Sequence, residues 1–542
     1  MHIDLLVLGR PESFHWPLGD QLYAEKSAAA IAAALQSRAQ DNHACLLWDA
    51  TLGQPAANLV SEISAQPGDV WHAGLRLGLS GLPRAIDFAD PVWMLNADAP
   101  ADVDSTSWRL SLRCCLLSPE YARLAATSLA AAFESLEAAG LELGHRWIKA
   151  GALIRHIPSL GGRALPPEIS PQLSLRDEMR FLTMRYGARW TLYSALRMVL
   201  SSYASPAAIA KAWSAVSGTS AKGSLVRMQA WRPGQHARGN VTVLIPTIDR
   251  YPYLENLLPQ LQAQTIPAAE IVIIDQTPAA RRRSISLPNG PTWIRVIHQD
   301  RSGQCTSRNA GLMESSGDFI LFLDDDDEVA PDLIEAHLAN LGSFGADVSA
   351  GVADEVGAGP LPPHFSFLRT SDVFPTNNAM VRRRALEKSG LFDLAYDKGQ
   401  RADGDLGMRV YLSGAIMVLN PAISVLHHHA PQGGLRVHKA RKITYASSRN
   451  SLWQRHLPSA TEVYLMHRYY TSAQIREALW HRALGTLSGS GGTWRRLTKA
   501  IIAGVLLPHT IWHIMKMCNQ ERRLRTSFPN IPSFPARVPV SR

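Results

Sequence analysis

The densest chemistry in this chain is a run of consecutive acidic residues, Asp324-Asp325-Asp326-Asp327-Glu328, directly after the apolar stretch 319–323. Carboxylates this close repel one another. A divalent cation with hard oxygen ligands, Mg2+ or Mn2+, relieves that repulsion and keeps positions open for phosphate oxygens. A solvated acidic loop, or a helix start where carboxylates meet the favourable end of the dipole, is the other reading of the same residues. About eighty residues on, Asp403 and Asp405 flank a glycine, and His427, His428 and His429 follow another apolar run. A carboxylate in that pair could take a proton from a hydroxyl, and either one could equally cap a helix that begins there.

Such residues need elements to hold them. VTVLIPT (241–247), EIVIID (270–275) and DFILFLD (318–324) read as buried strands, with a helical segment over 253–264 between the first two. Strands alternating with helices predict a parallel sheet covered on both faces, with ligands outside the carboxyl ends of its strands.

In this order the motifs resemble the family-2 glycosyltransferases of the GT-A fold. The matching residues are Pro246-Thr247-Ile248-Asp249-Arg250, Asp275-Gln276-Thr277, Ser307-Arg308-Asn309-Ala310-Gly311, Asp324-Asp325-Asp326, Asp403 with Asp405, and the three histidines. The resemblance covers residues 241–429. It implies an inverting, metal-dependent transferase that moves a sugar from a nucleotide-sugar donor, UDP-linked by family weight, to a glycan or lipid-linked acceptor in cell-surface polysaccharide synthesis. It implies a donor site of Pro246, Thr247, Asp249, Arg250, Asp275, Arg308, Asn309, Asp324 and Asp325. Within it, Asp249 and Asp275 hold base and ribose, and Arg308 sits near the phosphates or the ribose. A metal (Mn2+ or Mg2+) falls to Asp324, Asp326 and His427. Asp403 is the favoured general base and Asp405 the alternative, because Ala402 stands where the family usually has Glu. Such types suit the chemistry: a metal stabilises the departing phosphate, and a carboxylate deprotonates a poorly nucleophilic hydroxyl.

The first block echoes the second. Residues 139–160 resemble 402–423; 89–100 line up with 317–328, 44–51 with 270–277, and His72–Leu75 with Asn309–Leu312. Four matches in one order predict an internal duplication. On that alignment Asn96-Ala97-Asp98-Ala99 replaces the acidic run and Gly140 replaces Asp403, so the first copy is expected to be degenerate. It would brace the catalytic domain or bind an acceptor glycan. Trp16, Trp48, Trp71, Trp93, Trp108 and Trp147 could stack on sugars or fill its core. The expected architecture is α/β: two tandem GT-A-like, Rossmann-like domains with mostly parallel sheets, at 1–230 (with a helical extension) and 238–430. A basic, mostly helical region at 431–542 follows. Arg281-Arg282-Arg283 reads as a solvated loop or as a greeting for an anionic donor.

Composition bounds the rest. With 542 residues, 46% hydrophobic and 19% charged, the chain is neither disordered nor a small disulfide scaffold. Five scattered cysteines without metal spacing suit a reducing, cytoplasmic setting, and no leader-like basic-then-apolar start is seen. The net charge of +9 is unevenly held: from residue 431 onward about 18 Lys and Arg face about 3 Asp and Glu. Within that tail, 493–518 is apolar but interrupted by Pro508, too short a clean run to span a bilayer. Flanked by Arg495, Arg496 and Lys499 and by Arg522, Arg523 and Arg525, it reads as an interfacial pair on an anionic inner membrane face, or as a helical hairpin packed on the body. A nucleotidyltransferase is the enzyme alternative, but PTIDRYPY is not a Gly-rich phosphate loop. A non-catalytic glycan- or polyanion-binding protein leaves the acidic run unexplained, and no nucleic-acid module is present.

Overall fold

The computed structural model describes residues 2–536 except 11–12, 74–83, 130–132, 165–172, 215, 217–229, 286–288, 358 and 431–444. The Gly- and Ser-rich stretch 217–240, which reads as a linker between the two blocks, falls largely outside these residues. Two mixed sheets carry the fold. In the first, β1 (Ile3–Leu8), β2 (Gln21–Ala24), β3 (Ala44–Asp49), β4 (Val70–His72), β5 (Ser105–Thr106), β6 (Cys114–Leu117) and β7 (Ile154–His156) take the order β2-β1-β3-β6-β4-β7-β5. The second contains β8 (Val241–Thr247), β9 (Glu270–Asp275), β10 (Trp293–His298), β11 (Phe319–Phe322), β12 (Asp327–Val329), β13 (Val348–Glu355), β14 (Arg369–Thr370), β15 (Ala379–Arg382) and β16 (Met417–His427). Its order is β10-β9-β8-β11-β15-β13-β16-β12, with β14 against β16. Strand β8 has parallel partners on both sides, so its residues are apolar almost throughout. Edge strand β10 is instead half-exposed.

Both sheets follow one plan. The run β10-β9-β8-β11 is parallel, β15 enters antiparallel, β13 opposes it, and β16 lies parallel to β13. Likewise β2-β1-β3 is parallel, β6 enters antiparallel, β4 opposes it, and β7 lies parallel to β4. This plan makes β3 the counterpart of β11 and β4 that of β13. It corrects three of the four expected correspondences. Residues 44–51 answer to the strand before the acidic run rather than to 270–277. Residues 89–100 hold a short 3-10 turn, Met94–Asn96, and no strand. His72 ends a strand, whereas Asn309 lies in a helix. Short apolar strands ending in Asp are interchangeable as text, and only their hydrogen-bonded neighbours tell them apart.

The fourth correspondence holds. Helix Leu136–Ala150 precedes β7 as helix Ala402–Leu412 precedes β16. Arg146 Nη2 pairs with Glu142 at 3.0 Å, and Arg409 Nε pairs with Asp405 at 3.0 Å, each four residues apart. Glycine follows two residues later in both because the helices lie close to their neighbours: a Cβ on Gly144 would sit 2.1 Å from the Trp108 carbonyl oxygen, and one on Gly407 2.6 Å from Phe374 Cβ.

The two halves share one apolar core, which runs from Leu6 and Trp108 through Phe322, Leu406 and Tyr411 to Tyr464 and Tyr469. Tyr411 donates to the carbonyls of Ala97 (3.1 Å) and Thr106 (3.0 Å) in the first half. The C-terminal helices close over this seam. Ala460–Tyr469 and Ser472–Gly485 start with capping boxes, Ser459 with Glu462 and Thr471 with Gln474. Arg197 reaches Glu477 with two buried bonds of 2.8 and 2.9 Å.

Candidate active site

The acidic run follows β11 and turns at once. Asp327 accepts from the backbone N–H of Asp324 (2.9 Å), which closes the turn and leaves Asp325, Asp326 and Asp327 buried and only Asp324 part-exposed. Asp324 is half-buried and meets Arg308 Nη2 at 2.9 Å; Arg308 lies on helix Gln304–Glu314. Asp326 accepts from the backbone N–H of Ala430 (2.7 Å) and stands 3.0 Å from Arg250 Nη1. Asp327 pairs with His427 Nδ1 at 2.8 Å across the β12–β16 register. One ligand atom each from Asp324, Asp326 and His427 lie within 4.8 Å of one another.

Burial sets the charges here. It pushes the Asp325 carboxyl up to about 6, with Arg250 and Thr247 pulling the other way. It also pushes Asp327 up, opposed by the His427 contact. Burial disfavours the His427 imidazolium, but the bond and charge of Asp327, with Asp324 and Asp326 nearby, override it and raise His427.

The expected donor residues gather at the carboxyl ends of β8 and β9. Asp249 adopts a left-handed backbone (φ 56°); its N–H donates to Thr277 Oγ1 (2.9 Å), and Arg281 meets its carboxylate at 2.9 Å. Pro246 is half-buried in β8. Asp275 is buried, accepting from the Tyr251 hydroxyl and the Thr277 N–H, both at 2.9 Å. Arg282, in the same loop, pairs with Asp300 at 2.6 Å.

Several expected site residues turn inward, Thr247 and Asp275 among them, because their polar atoms answer to protein groups. Asp325 is 3% exposed and bonds Thr247 Oγ1 (2.7 Å) and Arg250 Nη1 (2.8 Å), which makes it the clamp beneath the site and not a face of it. Asn309 gives its amide to the Phe392 carbonyl and takes the Phe392 N–H, both at 2.8 Å. Asp405 is fully buried; beside Arg409 it accepts from Tyr469 Oη at 2.7 Å. Asp403, two residues earlier, is exposed in the first turn of its helix.

Asp397 connects these parts, a role with no motif to announce it. Its carboxylate accepts from the N–H groups of Cys305 (2.9 Å) and Thr306 (2.8 Å), capping the helix that carries Arg308. A Cβ on Gly303 would overlap that carboxylate at 2.1 Å. Six residues on comes Asp403, so the acidic turn and the start of helix Ala402–Leu412 share one end of the sheet.

Among its described residues the first half holds no such acidic turn. Asp49 ends β3 where Asp324 follows β11, and Ala50 and Thr51 follow it. Asp49 is buried between Lys26 and Arg113, each at 2.7 Å. Burial acts to raise its carboxyl, but the Lys26, Thr51 and Arg113 bonds hold it at about 2. Asp98 pairs with Arg109. A side chain at Gly140 would meet the Leu110 carbonyl oxygen at 2.5 Å. Trp48, Trp71, Trp108 and Trp147 are buried in the core, and Trp16 donates to the Ile3 carbonyl (2.7 Å). A second possible ligand group, His2, Asp4 and His43, lies at the opposite end of β1, where Arg38 shares Asp4 at 3.4 Å.

Residues 242–390 match the model of glycosyl transferase family 2. Over 204 residues the chain is 31% identical to the succinoglycan biosynthesis protein ExoM of Rhizobium meliloti, covering 34% of this chain and 65% of that protein. It is 26% identical over 250 residues to the pre-mycofactocin glycosyltransferase of Mycobacterium tuberculosis, covering 41% and 50%. The chain thus spans less than two-thirds of these relatives' lengths. Among solved structures, a mannosyltransferase from Pyrobaculum calidifontis in complex with GDP-Man and Mn2+ aligns at 15% identity with a TM-score of 0.34, over 54% of this chain and 85% of that one.

Proposed function

We propose that the glycosyl transferase family 2 domain in the second half of this chain moves a sugar, with inversion, from a nucleotide-sugar donor to a glycan or lipid-linked acceptor in cell-surface polysaccharide synthesis. The observation that carries this reading is the convergence of Asp324, Asp326 and His427 within 4.8 Å. Two carboxylates and an imidazole suit Mn2+ or Mg2+, which when bound stabilises charge on the departing diphosphate. Arg308, which holds Asp324 at 2.9 Å, meets the phosphates or ribose of the donor in this reading. Asp249 and Asp275, after β8 and β9, take the base and ribose of a donor, by family weight uridine-linked. Asp403, exposed in the first turn of its helix, accepts the proton of the attacking hydroxyl.

Titration of UDP, GDP and dTDP into the protein with Mn2+ and then EDTA, on wild type, Asp326→Ala and His427→Ala, tests this. Metal-dependent binding of one nucleotide, weakened at least tenfold by each substitution, supports it. No binding of any nucleotide with metal sinks it.

The acceptor reading brings the C-terminal helices to an anionic membrane face on the cytoplasmic side. No described helix is long and apolar enough to cross a bilayer, but Thr493–Val505 and Leu507–Ser527 form a pair bent by 59°. Trp494, Leu497, Ile501 and Val505 make one exposed stripe at three- and four-residue steps, and Ile511, Trp512 and Met515 continue it. The single acidic residue of the pair, Glu521, is buried. Lys499 departs from the expected basic flank: its ammonium points inward, donating to the carbonyls of Leu452 (3.2 Å) and Gln454 (2.6 Å). Arg495 donates to the Asn450 carbonyl and Arg525 pairs with Glu521 at 3.6 Å, which leaves Arg496, Lys516, Arg522 and Arg523 for lipid phosphates.

A further inference from the structure

A cavity of about 610 Å3 opens between helix Leu175–Leu200, past its break at Gly187, and helix Ser472–Gly485. A second, of about 240 Å3, is lined by Trp93, Arg401, Gly404 and Glu462. Val92, Met466 and Arg482 line both, so the two spaces adjoin. Gly404 is the neighbour of Asp403, and a Cβ placed there would meet only Leu465, at 3.5 Å. The smaller space therefore reaches the helix turn that carries the proposed base, and the larger one adjoins it.

We infer that these joined cavities bind the acceptor as an oligosaccharide, with the sugar ring nearest the non-reacting end resting on Trp190. This rests on the glycosyltransfer reading and adds a subsite built outside residues 242–390. Trp190 is 41% exposed and braced from one side, with Tyr193 edge-on at 5.6 Å and His481 at 5.3 Å. A braced indole offers a flat surface to the C–H face of a sugar at little entropic cost. The Tyr193 hydroxyl has no hydrogen-bond partner among the described residues. Asp90, Arg189 and Arg482 add groups of both signs along the wall. The larger volume falls within the range of roughly 300–1,000 Å3 usual for small-molecule sites.

The wall chemistry decides the ligand class. A diphosphate would call for several cations without an acidic neighbour, whereas here Asp90 lines the same space. A lipid chain would call for a wall apolar almost throughout. That description fits a different groove, between Ser472–Gly485 and Leu507–Ser527, lined by Ile475, Leu479, Ile511, Ile514 and Met515. A largely apolar wall that presents one aromatic face, with Asp90, Arg189 and Arg482 beside it, suits the C–H faces and hydroxyls of uncharged or sparsely charged glycans.

The test uses the full chain as wild type, Trp190→Ala and Tyr193→Phe. The probes are linear oligosaccharides of four to six residues of glucose, galactose or N-acetylglucosamine, read by calorimetry and tryptophan emission. Tyr193→Phe removes only an unpartnered hydroxyl, so it keeps the test open should Trp190→Ala unfold. The expected result is binding of at least one probe by wild type, weakened tenfold or more by Trp190→Ala and about threefold by Tyr193→Phe. Absence of binding by every probe, or equal affinity in both variants, overturns the inference. Nucleotide titration of the same proteins separates the failures: loss of nucleotide binding in wild type counts against the transferase reading, and loss of glycan binding alone counts against this subsite.

Discussion

Glu142 and Asp405 occupy the same turn of two equivalent helices, and each is paired with an arginine four residues on at 3.0 Å. Both are fully buried. A feature kept in the copy with the acidic turn and in the copy without it answers to the helix and not to a reaction. One position earlier than the intervening residue, the copies part: Gly140 faces a carbonyl that leaves it no room, and Asp403 faces solvent.

Asp403→Asn and Asp405→Asn are therefore expected to fail in opposite ways. The first removes sugar transfer by a hundredfold or more, in the range of general-base loss, and leaves the melting temperature unchanged. The second leaves Arg409 buried without its anion and costs about 3 kcal/mol of stability. Transfer assays beside thermal melts check both; equal loss of stability would remove the distinction between the two carboxylates.

Asp49→Asn is expected to destabilise the chain and to spare nucleotide binding. The Asp49 carboxyl is held at about 2 in the fold against an ordinary value of 3.8. Its contribution is thus present above about pH 4 and disappears as the pH falls through 2. Wild type and variant should differ in melting temperature at pH 7 and converge in strong acid. A nucleotide affinity that drops with the substitution would instead make the first half part of the donor site.

The seam between the first half and the C-terminal helices predicts a pH dependence of opposite sign. Burial pushes the Asp87 carboxyl up to about 7, although Gln474 donates to it at 3.0 Å. A carboxyl raised in the fold binds its proton more tightly there than in the unfolded chain, so stability falls as pH rises from about 4 to about 7. Asp87→Asn keeps the Gln474 bond and removes the charge. It should raise the melting temperature at pH 8.5 by a few degrees and change it little at pH 4. An equal shift at both values contradicts the buried-anion account.

Vesicle sedimentation addresses the C-terminal helices. The protein should pellet with vesicles of phosphatidylglycerol and phosphatidylcholine, release in about 0.5 M salt as the basic residues are screened, and ignore pure phosphatidylcholine. Trp494→Ala with Trp512→Ala should abolish pelleting without altering the melt, since both side chains are exposed. Pelleting that survives the double substitution would point away from this stripe.

The approach of Asp324, Asp326 and His427 to one another was legible from residue order. A strand that ends in Asp324-Asp325-Asp326-Asp327 must deliver its carboxylates at the sheet's carboxyl edge, and a histidine at the end of a later strand can return to them. The inward turn of Asp325, Asn309 and Asp405 was not legible, because each is set by a partner far along the chain: Arg250, Phe392 and Tyr469. Lys499 likewise reads as a surface cation until the carbonyls of Leu452 and Gln454 are beside it.

The sequence by itself determined that two α/β units lie in tandem, where the acidic run sits, and that the tail is basic and amphipathic, since periodicity, composition and local motifs are properties of neighbours in the chain. Only the tertiary structure decided which strand of the first half answers to β11, which of two carboxylates stays exposed, and that cavities walled by residues 90–93, 189–193 and 466–482 reach the turn beside Asp403. Those outcomes depend on hydrogen-bond partners and packing between segments hundreds of residues apart, and spacing along the chain carries no record of them.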